Sequence, residues 1–364
     1  NGVDLLRLED NACQLLIAQP FGYDASCPCG QDGVVFSLVL VDGARPTAGA
    51  SWRISSAAAG SPGFADPPPP PASAELVISE ILAHTVPPDE DAVELYNPTA
   101  YDAHVGGWFL SDDPFAPQRY QIPEGLYVAA GGYLLLTESQ FGAGDAGFGF
   151  SENGESAVIT AATCQGETTG YRHARDFGPS PNGVSLGRYT TSIGAIHFPL
   201  LSRPTLGAEN AAPRVGPMVI SRIMYHPGAT SAIQDEYVEL QNIGGEPLDL
   251  YLDASPWLTW RLRGAVRYEF PAGTTLATGA RVLVVPELPA AFRARHSIPD
   301  DVQIFGPYEG ALDNSGERLA LVMPAAPDLT GPQVYYEVDA VAYDDEAPWP
   351  PQADGQGPPL IRID

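Results

Sequence analysis

The sequence predicts an all-β chain of tandem domains, and three observations predict it. A set of motifs occurs twice: Leu76-Val-Ile-Ser-Glu-Ile-Leu-Ala-His84 returns as Met218-Val-Ile-Ser-Arg-Ile-Met-Tyr-His226, and Ala92-Val-Glu-Leu-Tyr-Asn97 as Tyr237-Val-Glu-Leu-Gln-Asn242. Later landmarks return in the same order, Asn153-Gly-Glu-Ser156 as Ser315-Gly-Glu-Arg318 and Gly183-Val-Ser-Leu186 as Gly357-Pro-Pro-Leu360. Finally, short β-branched or aromatic runs sit between turn residues throughout, and 38 Gly with 37 Pro work against long helices.

The offset between copies grows from 142 residues at the first motif to 145, 162 and 174 at the others. Growth of this kind means insertions into loops on a shared scaffold. The period is too long for a solenoid and suits a string of independent domains.

The elements follow in order. A continuous apolar run predicts a strand over 34–41. Runs of four to nine residues, β-branched or aromatic and bounded by Gly, Pro, Asn or Asp, predict strands over 76–82, 92–96, 133–137, 157–160, 219–225, 236–240, 281–285, 319–322 and 334–342. Such spacing reads as a sandwich or barrel. One helical signal stands out, Leu288-Pro-Ala-Ala-Phe-Arg-Ala-Arg-His296, a turn or two long. Five prolines, Pro67 to Pro71, predict a semi-rigid polyproline II spacer, and a Pro-flanked stretch over 203–217 reads as a second linker.

The charge is lopsided, with 45 acidic against 18 basic residues and a formal net charge of -27. Binding to nucleic acid or to an anionic membrane needs basic surface, so both are excluded as partners. All 18 basic residues are Arg, which removes Lys nucleophile and Schiff-base chemistry. No apolar run is long enough to span a membrane, and Asn1-Gly-Val-Asp-Leu does not resemble a signal peptide, so a soluble, mature fragment is expected. The four cysteines are Cys13, Cys27, Cys29 and Cys164. A disulfide from Cys13 to Cys27 or Cys29 closes a plausible hairpin and implies an oxidising, extracellular setting, with the pairing open.

The twice-repeated Val-Ile-Ser-x-Ile, acidic turn and Val-Glu-Leu-Tyr/Gln-Asn resemble the opening of the lamin tail domain of secreted bacterial proteins. Phe270-Pro-Ala-Gly-Thr-Thr-Leu with Gly279-Ala-Arg-Val-Leu-Val-Val resembles its central segment, and Ile122-Pro-Glu-Gly-Leu with Gly131-Gly-Tyr-Leu-Leu-Leu is the fainter copy. Asn182-Gly-Val-Ser-Leu-Gly-Arg-Tyr189 followed by Pro204-Thr-Leu-Gly-Ala-Glu-Asn210 resembles its ending. The resemblance implies tandem immunoglobulin-like β-sandwiches joined by Pro-rich linkers, and no catalytic residues. Full units are expected over 76–202 and 218–364, with linkers over 67–75 and 203–217. Residues 1–66 then read as the C-terminal half of a further unit, since Asn1-Gly-Val-Asp-Leu-Leu-Arg-Leu resembles the stretch from Ser315, and Ala50-Ser-Trp-Arg-Ile54 resembles Pro359-Leu-Ile-Arg-Ile363. A half sandwich exposes an apolar face and open strand edges, which self-association or a partner chain would complete.

Among polar clusters, Asp89-Glu90-Asp91 and Asp235-Glu236 occupy the same turn in both copies and are candidate calcium ligands, because calcium takes six to eight oxygens that loops between strands supply. A solvated acidic turn is the competing reading. Glu94 and Glu239 alternate with apolar neighbours and are expected to anchor loop backbone by accepting N–H bonds. His84 and His226 recur at matched positions but lack a neighbouring ligand, which favours a structural role. Trp108, Trp257, Trp260 and Trp349 suggest a glycan-stacking platform, although Trp108 reads as a core plug. No nucleophile elbow, zinc helix or phosphate loop is present. The expected function is therefore a non-enzymatic, secreted or surface structural protein that assembles into a filament, layer or matrix. The alternative is a glycan- or calcium-binding accessory module of a larger secreted hydrolase.

Overall fold

The computed structural model of the chain describes residues 4–9, 15–21, 38–40, 52–54 and 61–66, then 76–363 apart from 145–146, 164–165, 193, 229–232 and 328–330. In the N-terminal region β1 (Asp4–Glu9) and β2 (Leu15–Phe21) pair antiparallel, as do β3 (Leu38–Leu40) and β4 (Trp52–Ile54). The polyproline run lies outside the described residues.

The first full unit is a two-sheet sandwich. One sheet is built from β5 (Val77–Leu82), β6 (Ala92–Tyr96), β11 (Tyr133–Thr137) and β14 (Leu186–Gly187), in the order β11-β6-β5-β14. The other holds β8 (Phe109–Ser111), β9 (Tyr120–Gln121), β12 (Glu155–Ala162) and β13 (Thr168–Phe177), in the order β13-β12-β8-β9. Two short pairs complete it, β7 (Ala103–His104) with β10 (Tyr127–Val128) and β15 (Tyr189–Thr190) with β16 (Ile196–His197). Inward side chains of both sheets, among them Ile78, Ile81, Val93, Leu95, Leu110 and Ile159, form one buried core.

The second unit repeats this plan. Its sheet β26-β25-β18-β17-β30 comprises β17 (Met218–Met224), β18 (Tyr237–Asn242), β25 (Arg281–Val284), β26 (Gln303–Phe305) and β30 (Leu360–Ile361). Its facing sheet β27-β23-β22-β28-β29 comprises β22 (Arg261–Gly264), β23 (Val266–Glu269), β27 (Glu309–Gly310), β28 (Gly316–Pro324) and β29 (Tyr335–Asp344). The pair β19 (Leu248–Asp249) with β24 (Thr275–Leu276) answers β7 with β10, and β20 (Tyr251–Leu252) with β21 (Ser255–Thr259) is an added hairpin. Both units are thus immunoglobulin-like in class, all-β with sheets packed on a shared core.

The Ile-Ser-x-Ile motif has a physical meaning in this frame. In a regular strand, residues three apart point to opposite faces. Ile78 and Ile81 are nevertheless both fully buried in the core, as are Ile220 and Ile223 to within a few per cent. The ladder accommodates this by slipping one residue between Ile78 and Glu80, and again between Ile220 and Arg222, leaving Ser79 and Ser221 as bulges. The freed bulge carbonyls are not wasted: Ser79 O accepts from Arg188 N at 2.7 Å, and Ser221 O from Arg362 N at 3.0 Å.

Two α-helices occur among the described residues. α2 (Pro289–His296) stands where the sequence predicts it, and α1 (Glu138–Phe141) is a single turn that periodicity does not reveal. The linker reading of 203–217 is corrected. Leu201 bridges Pro213, Arg214 N donates to Leu200 O at 2.7 Å, and residues 205–210 are bonded to β5 and β6, so most of this stretch belongs to the first sandwich.

Ile223→Asp places a carboxylate without a partner in the core and is expected to unfold the second unit. Ser221→Ala keeps the register and should cost only about 1 kcal/mol, the value of its hydroxyl bonds. Urea denaturation followed by tryptophan fluorescence separates the two outcomes.

Candidate functional site

The outer face of the β5–β6 pair carries two carboxylates side by side, because Glu80 and Glu94 are cross-strand partners. Both are fully buried. The cover is the returning segment: Thr205 donates to Glu80 through its N–H at 2.9 Å and its hydroxyl at 2.7 Å, Ser185 adds a hydroxyl bond at 2.5 Å, and Gly207 N–H donates to Glu94. Asn210 closes the segment by donating to Ser79 O and Arg188 O, both at 3.0 Å. The expected anchoring role of Glu94 is therefore observed. It also explains why β6 is buried along nearly its whole length instead of alternating.

Burial drives the Glu94 carboxyl up to about 7; the Gly207 N–H opposes the shift and the neighbouring Glu80 adds to it. Its Oε1 is buried without a hydrogen-bond partner among the described residues. A carboxyl raised on folding from its usual value near 4.5 stabilises the fold below that value, and the contribution is lost as pH rises through the folded value.

In the second unit the same positions hold different chemistry. Arg222 stands where Glu80 stood and Glu239 where Glu94 stood, again as cross-strand partners. Glu239 takes Arg222 at 3.3 Å, Arg281 at 3.4 Å and the Ser221 hydroxyl at 2.8 Å. It anchors side chains and not loop backbone, a departure from expectation.

The candidate calcium residues do not converge. Asp89 is exposed, Glu90 accepts Ser139 N at 3.1 Å, and the buried Asp91 accepts the Thr85 hydroxyl at 2.9 Å. Asp235 pairs with His296 at 3.2 Å, whereas Glu236 points inward and accepts Tyr308 Oη and Leu312 N, each at 3.0 Å. Burial raises both Asp91 and Glu236 above the usual carboxylate range. Among the described residues no group of three or more His, Cys, Asp or Glu comes together. Glu90, Asp91, Asp235 and Glu236 each fasten the turn before the second strand of their unit.

His84 and His226 are also fasteners. His84 Nδ1 contacts Ser180 O at 2.7 Å, and His226 Nδ1 contacts Asp354 Oδ1 at 2.5 Å, each tying the first strand's exit to the turn that precedes the last strand. The tryptophans form no platform, since Trp108 and Trp260 are buried in separate cores, Trp349 packs against the second, and Trp257 alone is 70% exposed. Cys13, Cys27, Cys29 and Cys164 lie outside the described residues, as does most of the half unit expected over 1–66. Sequence reasoning missed the pairing of Glu80 with Glu94, although the bulge motif and the Val-Glu-Leu motif together encode it.

The lamin tail domain family matches residues 69–173. This part of the chain is therefore similar to the lamin tail domains, an immunoglobulin-like and non-catalytic structural family. The match ends within β13, before β14 and the covering segment. No curated protein and no solved structure matches the chain. Among the described residues no helix is long and apolar enough to cross a membrane.

Two outcomes are expected. The stability of the wild-type chain should fall from about pH 5 to about pH 8 more steeply than that of Glu94→Gln, whose neutral amide does not titrate; thermal melts across that range give both slopes. Calcium addition or chelation should leave the melting temperature unchanged to within about 1 °C, whereas a ligand bound by the folded state would raise it.

Proposed function

We propose that this protein is a non-enzymatic, secreted or surface structural protein in which successive lamin-tail sandwiches act as rigid interaction modules of a filament, layer or matrix. The second sandwich is, on this reading, a second lamin tail domain. The observation that carries it is the matched use of buried polar groups. Asn97 donates to Tyr101 O, Val128 O and Ala129 O, and Asn242 donates to Glu246 O, Leu276 O and Ala277 O. The serine bulges recur, and the histidine ties recur at the same place in the fold, to a backbone carbonyl in the first unit and to a carboxylate in the second.

These groups hold loops and strand ends in place. Buried polar side chains are costly unless bonded, and the matched asparagines and serine bulges meet that cost in the same way in both copies, which fixes the shape of each unit. Rigid modules in series suit assembly, and the acidic surface, at a net charge of -27, keeps units apart until a specific contact forms.

Light scattering and electron microscopy of the native protein test the proposal. Concentration-dependent assembly with a subunit-length repeat is the expected outcome. A strictly monomeric particle at high concentration would count against it.

A further inference from the structure

The segment that covers Glu80 and Glu94 has a fixed base and a tip held by polar bonds. At the base Leu201 bridges Pro213, Ser202 N donates to Ala212 O at 2.9 Å, and Arg214 N donates to Leu200 O at 2.7 Å. Between these anchors the chain runs out over the sheet and back. We propose that residues 203–211 are a proton-controlled flap, closed over Glu80 and Glu94 while one of the two carboxyls carries a proton and loosened when both are ionised.

The grip of the flap is polar. No residue from 202 to 211 is fully buried, so little apolar surface holds the segment down. Its bonds end on the two carboxylates and on two carbonyls: Thr205 N–H and hydroxyl on Glu80, Gly207 N–H on Glu94, and Asn210 on Ser79 O and Arg188 O. A segment held by so few groups opens locally, at a cost well below that of unfolding the sandwich.

What lies beneath sets the sensitivity to protons. Glu80 and Glu94 are cross-strand neighbours with no exposure, and Glu94 Oε1 has no hydrogen-bond partner among the described residues. Like charges placed so repel, and an ionised oxygen without a donor is costly to bury. The groups around Glu94 do not relieve it. β5 presents the like charge of Glu80, β11 presents Tyr133, and the flap adds Glu209, whose charge reaches Tyr133 together with that of Glu94. Arg203 is exposed near the base, β14 holds no titratable residue, and Arg188 beyond it acts on His173. The second unit solves the same problem with counter-charge, since Glu239 there meets Arg222 at 3.3 Å and Arg281 at 3.4 Å. In the first unit a proton takes that place.

The direction follows. Under the flap, burial holds the Glu94 carboxyl at about 7, against 4.5 in water, to which an open flap returns it. Closure is therefore fully favoured below about pH 4.5, and that favour is lost as pH rises through about 7. The interval corresponds to at most about a 300-fold change in the closing equilibrium.

Hydrogen exchange of the full chain, read by mass spectrometry at pH 5 and pH 8.5 and divided by the intrinsic chemical rate at each pH, tests the proposal. Protection of residues 203–211 is expected to fall at least about tenfold between the two, while β5 and β6 keep theirs. Glu94→Gln and Glu80→Gln retain an oxygen for the flap's N–H groups but do not titrate, and each should hold the change below about threefold, with thermal melts reporting their folding. Protection of the flap that is equal at both pH values in the wild type overturns the proposal. So does a loss shared by β5 and β6, which is unfolding of the whole unit, or an equal loss in both variants. The comparison of flap with strands in the wild type stands even where a variant folds poorly.

Discussion

The architecture of each unit depends on one backbone irregularity, the serine bulge in its first strand. It brings two isoleucines three residues apart onto one face and so lets a single strand contribute both to the core. It also releases a carbonyl on the opposite side, which the last strand's neighbour claims in both units. The residue after the bulge then stands cross-strand from the glutamate of Val-Glu-Leu, and the two together set the charge of the outer face.

From that pair the two units diverge. Two carboxylates need donors, and the first unit supplies backbone N–H groups from a segment that returns over the sheet. In the second unit an arginine and a carboxylate satisfy each other, with α2 and its following turn beside them. The energetic logic is the same in both cases, because a buried charge left without a partner costs more than the fold can spare. Elsewhere the polar interior is conservative, with Asn97 and Asn242 making the same three donor bonds at the end of the second strand.

Much of the fold was legible. The strands over 92–96 and 133–137 fall where the sequence predicts them, and the others expected after residue 75 lie within a few residues of the observed β-strands. The long strand β13 lacks a clear sequence signal because Gly, Ala, Asp, Arg and His interrupt its strand-favouring Thr, Tyr and Phe, and its alternating half-burial on the sandwich edge reveals it. The acidic turns are legible as clusters but not by partner, since acidic side chains in a turn look alike whether they meet a histidine, as Asp235 meets His296, or accept an N–H, as Glu236 does from Leu312.

The sequence by itself determined the repetition, the all-β class, the positions of most strands and the strongly acidic charge, because these follow from local patterning and from composition. Only the tertiary structure decided that residues 203–210 are a cover and not a linker, that Glu80 and Glu94 lie side by side, and that Glu239 meets two arginines at the matching place. The physical reason is distance along the chain. Burial and the pairing of charges are set by which segments fold back onto which sheet, and a segment 125 residues from its partner leaves no local trace of that contact.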